Sequence, residues 1–143
     1  MTGLPDLVRI SRWHLNEKRQ KLADLERLSE RLDSDLARLD AGIARERKLA
    51  SDHLDASRTF PAYMQAELQR RRKLEASLAD IAREIEAARE QVAEAYRELK
   101  KYELAESAQQ EREHEKDAKS EQQEMDEIGM QLHRRRTLRD PGK

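Results

Sequence analysis

The stretch from Leu74 to Tyr102, LEASLADIAREIEAAREQVAEAYRELKKY, decides what kind of fold this chain can form. Its apolar members, Leu74, Leu78, Ile81, Ile85, Ala88, Val92, Ala95, Leu99 and Tyr102, recur in alternating steps of four and three. That spacing gathers them on one side of an α-helix, while the intervening Glu, Arg and Lys face water. The apolar face is only two heptad positions wide, which is the seam of a coiled coil.

Upstream, Val8, Leu15, Leu22, Leu25, Leu32, Leu36, Leu39 and Ile43 occupy the same two heptad positions of an earlier helix. Ser11, Lys18, Ser29 and Glu46 intrude on that seam, and Gly42 costs a helix about 1 kcal/mol relative to alanine. This helix therefore needs a partner. Between the two seams, Ser57, Arg58, Thr59, Phe60 and Pro61 interrupt the heptads, and Pro61 suits the first turn of a new helix. The fold class read from these patterns is all-α: a long two-helix antiparallel coiled-coil hairpin. It is expected as one domain over 1–143, with helix 1 at about 4–56, a turn at about 57–61, helix 2 at about 62–136 and a frayed tail at 137–143. A turn at that place sets Leu22 opposite Arg97 and Leu39 opposite Leu78.

Composition agrees. Ala, Glu, Lys, Leu and Arg make up 84 of the 143 residues, a bias typical of long helices. Charged residues reach 41% but nearly cancel, with 29 basic and 30 acidic side chains, so the strong net charge of a disordered chain is missing. With no cysteine there is neither a disulfide framework nor a thiolate metal site, and a reducing compartment is expected. The N-terminal MTGLPDLVRISRWHLNEKRQ contains no apolar signal core, and no stretch is apolar enough to span a bilayer. A cytoplasmic protein without direct membrane insertion is expected.

Beyond Leu104 the seam ends, and Glu106 to Glu124 is almost devoid of apolar residues. Met125, Ile128 and Leu132 then restore a short stripe, so the second helix is expected to extend past the first. Acidic residues dominate from Glu103 to Glu127, whereas Arg134, Arg135, Arg136 and Arg139 crowd the end.

Little in the sequence carries chemistry. His114-Glu115 begins like the zinc motif HExxH, but Ala118 stands at the second ligand position. Glu111 and His114 form a single Glu-x-x-His pair, whereas a di-iron bundle needs two and further carboxylates. The glycines are too scattered for a phosphate-cradling loop, and a two-helix rod lacks the enclosed pocket of an enzyme. No catalytic residue, metal or cofactor is expected. Arg70, Arg71, Arg72 and Lys73 form a basic run, but they point in different directions around a helix with Glu67 and Glu75 within a turn, so no nucleic acid partner is expected. Phe60, Tyr63 and Met64 cluster at the expected turn, either as a cap on the coil or as a partner-binding tip. Trp13 and His14 pose the same choice elsewhere.

Several motifs bear on identity: Phe60-Pro61-x-Tyr63, Arg71-Arg72-x-Leu74, Glu98-Leu99-Lys100-Lys101-x-Glu103, and Glu124-Met125-Asp126-Glu127-Ile128-Gly129 followed by Arg134-Arg135-Arg136. Together they resemble the FliJ family of the flagellar type III export apparatus, over nearly the whole chain and most closely its alphaproteobacterial branch. The resemblance implies a coiled coil shaped like the central stalk of rotary ATPases. Its implied partners are the hexameric flagellar export ATPase, an export gate membrane protein and export chaperones, at the inner-membrane base of the flagellum. Met125, Ile128, Leu132, Arg134, Arg135 and Arg136 match the family's ATPase-binding end, and Phe60, Tyr63 and Met64 a gate-facing tip. Injectisome stalk proteins share the architecture, and a generic structural coiled-coil adaptor is the remaining alternative.

Overall fold

The computed structural model describes residues 3–139. They form two helices, α1 (Leu4–Asp52) and α2 (Leu54–Arg139), of 49 and 86 residues. The chain is all-α, its helices pack against one another, and the second is the longer. Its described residues divide into two compact units, 10–98 and a second made of 3–9 with 99–139.

In the unit of residues 10–98, every seam position of α1 from Ser11 to Ile43 is buried or half-buried: Ser11, Leu15, Lys18, Leu22, Leu25, Ser29, Leu32, Leu36, Leu39 and Ile43. The facing seam of α2 runs unbroken from Phe60 through Met64, Glu67, Arg71 and Leu74 to Ala95. Leu15, Leu39, Ile43, Ile81 and Ala88 are its most enclosed apolar residues. Of the polar seam members Ser11 is buried, and the Arg71 Nε is buried without a hydrogen bond and held only by nearby carboxylates. Lys18 and Arg71 stay half-exposed, and the Arg71 guanidinium lies 3.4 Å from the Asp40 carboxylate across the helices and 3.3 Å from Glu75 within its own. In the other unit, Val8 and Leu99 are buried and Tyr102 and Glu106 half-buried.

The helices change over at a single residue. His53 donates its N–H to the Leu49 carbonyl at 2.9 Å, ending α1, and its own carbonyl accepts the Ser57 N–H at 3.0 Å, starting α2. The expected turn at 57–61 is thus corrected: those residues are the first turns of α2, and helix 1 stops at Asp52 instead of 56. A broken heptad marks where the seam loses contact, not where the backbone bends. The C-terminal bound shifts also, since α2 continues to Arg139 and takes in Thr137 and Leu138 from the expected tail; 140–143 lie outside the described residues.

Moving the junction changes the register. Leu39 and Gly42 share a cleft with Tyr63, Glu67, Arg70 and Leu74, and Lys21 and Leu25 share one with Glu84, Ala87, Ala88 and Gln91. Positions descend on α2 as they rise on α1, so the packing is antiparallel. The expected pairings of Leu22 with Arg97 and Leu39 with Leu78 are replaced by partners roughly ten residues earlier on α2.

Pro61 sits inside α2, where its ring lacks an N–H for the Ser57 carbonyl. Both residues are exposed, so water can reach the freed acceptor. A proline in a helix interior costs ~3 kcal/mol, less near an open end. Pro61→Ala is expected to stabilise the chain by about 1–2 kcal/mol, read as a rise in thermal midpoint; an unchanged or lower midpoint would show that the proline sets the entry of α2.

Candidate partner-binding surfaces

Near the junction, the residues singled out from the sequence lie partly against the paired helices. Phe60 and Met64 occupy seam positions, Tyr63 flanks them, and all three are half-buried. The Phe60 and Tyr63 rings lie 6.4 Å apart at a 33° tilt. Tyr63 reaches across to α1 where Gly42 leaves room: a methyl group at Gly42 would lie 3.5 Å from the phenol oxygen. Loss of solvation in this cleft, followed by the carboxylates of Glu67 and Glu46, raises the Tyr63 pKa against the opposing pull of Arg45 and Arg70. The exposed apolar surface here is carried by Leu49 and Leu54.

A contact of 3.5 Å is ordinary van der Waals distance, so Gly42→Ala should fit without displacing Tyr63. The expected result is a gain of about 0.5–1 kcal/mol from helix propensity, measured by denaturant unfolding. A loss would mean that the phenol needs the empty volume.

Trp13 is 61% exposed and meets His14 edge-on, with ring centroids 5.3 Å apart. Ile10 lies one turn before it and is also exposed. The pair is therefore a surface feature of α1 and takes no part in its seam.

The unit containing the end of α2 is arranged differently. Every residue from Ser107 to Arg139 is exposed, so this segment is a helix with nothing packed on it. It remains helical because Glu, Gln, Arg, Lys and Ala dominate it, and because local bonds such as Gln122 to Asp126 at 3.1 Å reinforce its turns. Arg136 and Arg139 in the last turn oppose the helix dipole favourably. Met125, Ile128 and Leu132 stand on one face at 69%, 55% and 54% exposure. Arg135, Arg136 and Arg139 continue the same face, since they follow Leu132 by three, four and seven residues. The structure thus assembles the sequence-selected C-terminal residues into one apolar-to-basic surface, except that Arg134 lies on the opposite side. Met130 and Leu138 are exposed as well, but off that face.

Among the described residues no group of histidines and carboxylates could hold a metal, and no helix is long and apolar enough to cross a membrane. His114 and Glu111 are exposed on the unpartnered helix.

Two packed helices, the second ending in an exposed, charged stretch, define the chain as an all-α coiled-coil protein. The family model for the flagellar FliJ protein matches residues 6–138, and the chain belongs to the FliJ family. Membership makes it a component of flagellar protein export. No curated protein and no solved structure matches it.

Proposed function

We propose that this chain is a non-enzymatic central stalk of the hexameric flagellar export ATPase. In this reading the end of α2, through Met125, Ile128, Leu132 and Arg134 to Arg136, engages the ATPase. The end near Phe60, Tyr63 and Met64 is directed to the export gate membrane protein, and the chain escorts export chaperones at the inner-membrane base of the flagellum. The observation that carries the reading is the exposure of the Met125, Ile128 and Leu132 stripe on a helix with no neighbour. Three large apolar side chains held in water at helical spacing can gain by entering a groove.

A single asymmetric helix cannot present the same groups to six identical subunits at once. Subunits that meet the arginines and subunits that meet the acidic side are bound with different free energies, so the ring's conformations cease to be equivalent. The test is ATP hydrolysis by the export ATPase with the full chain and with a chain truncated before Gln122. Stimulation or ring assembly that needs residues 122–143 supports the stalk; equal effects of both chains, or none from either, would remove it.

A further inference from the structure

We propose that the free end of α2 is also a self-pairing surface, on which a second copy of this chain docks antiparallel. The face that carries Met125, Ile128 and Leu132 extends in heptad steps to Ala118 and Glu121 on one side and to Arg135 and Arg139 on the other. Its order is acidic, apolar, basic. Glu121, Glu124, Asp126 and Glu127 precede or flank the apolar stripe, and Arg134, Arg135, Arg136 and Arg139 follow it. Among the described residues no salt bridge joins side chains within 107–139, although Asp126 accepts a hydrogen bond from the Gln122 amide at 3.1 Å.

Such an order selects its own reverse. A parallel second copy would set arginines against arginines and carboxylates against carboxylates. An antiparallel copy puts each basic end on the other's acidic segment, and a two-fold axis makes every favourable contact twice. With Ile128 opposite Leu132 of the second copy, Met125 shares a layer with the second copy's Arg135, and Glu121 with its Arg139. Gly129 lies beside this centre with no heavy atom within 4 Å of where a Cβ would stand, which leaves room for close approach of a second helix. The apolar contact is small, so the pairing is weak and depends on charge. Under the stalk reading the same face meets the ATPase, so the dimer would hold the stripe covered until the ATPase competes for it.

The experiment needs no ATPase, so it fails or succeeds independently of the stalk. Sedimentation velocity of the full chain is followed over a concentration series at low and at high salt. A monomer–dimer equilibrium at low salt, weakened about tenfold or more at ~1 M salt, is expected. Two charge-reversed chains then test the geometry: one with Arg134, Arg135, Arg136 and Arg139→Glu, the other with Glu121, Glu124, Asp126 and Glu127→Lys. Each alone is expected to be monomeric, and an equimolar mixture to form the heterodimer. Circular dichroism melts confirm that both retain the paired helices. A wild-type monomer at all concentrations, dimers that persist in both reversed chains, or a mixture that stays monomeric would overturn the proposal.

Discussion

Leu15→Ala is expected to destabilise the chain by about 2–5 kcal/mol, the largest effect of any single truncation in the seam. Leu15 is 2% exposed, less than any other core residue. In a two-helix coil each seam side chain touches only one opposing helix, so little else is available to collapse into the vacated space. Native stability is commonly only 5–15 kcal/mol, so this one change removes a large share of it. The thermal midpoint, followed by helical ellipticity, should fall by roughly 5–15 °C. Leu104→Ala is the control: Leu104 is 70% exposed, and its truncation should stay within about 0.5 kcal/mol. Equal effects at the two positions would mean that the helices are not held together through this seam.

The same contrast explains why the seams were legible and the junction was not. Burial follows the heptads almost residue by residue, from Ser11 to Ile43 and from Phe60 to Glu106, because a coiled coil has one narrow interface and the sequence must repeat to fill it. The bend left no such repeat. Pro61 drew the expectation toward 57–61, although a proline near a helix start is tolerated when its freed carbonyl is in water. The true junction at His53 contains neither glycine nor proline, and no residue in the described chain takes a positive φ, so no turn residue was required there. A usable signal was present all the same. The first seam stops at Ile43 and the second starts at Phe60, and an antiparallel pair must be roughly symmetric about its bend, which puts the bend near residue 52.

That shift also changes what the aromatic cluster means. With a turn at 57–61, Phe60, Tyr63 and Met64 form an exposed tip; with the junction at His53, Phe60 and Met64 are the first layers of the α2 seam, and Tyr63 beside them lies over Gly42. The complementarity of Gly42 and Tyr63 was invisible to the sequence because it depends on register. The C-terminal surface was easier to read, since an exposed helix makes no tertiary contacts and its faces follow from spacing alone.

Removal of residues 122–143 is expected to abolish stimulation of the export ATPase while leaving the melting of the paired helices unchanged. The two outcomes are linked by one fact, that no described residue beyond Glu106 is even half-buried. Deleting such a segment removes no tertiary packing, so the thermal midpoint should move by no more than about 2 °C and only the helical signal of the lost residues should disappear. In the binding step the balance is reversed. Met125, Ile128 and Leu132 are the largest apolar side chains on one face of that segment, and burying each fully is worth about 1.5–3 kcal/mol. The arginines beside them add charge-assisted hydrogen bonds to any carboxylates of the ring. Loss of this free energy would reduce affinity by several orders of magnitude, and stimulation should fall to the basal rate at any accessible concentration. Alanine at Met125, Ile128 and Leu132 together should reproduce most of the loss with the helix intact. A truncated chain that melts normally and still stimulates the ATPase would relocate the contact to the paired helices, where Ile10, Trp13, Leu28, Leu49, Leu54 and Tyr96 are exposed.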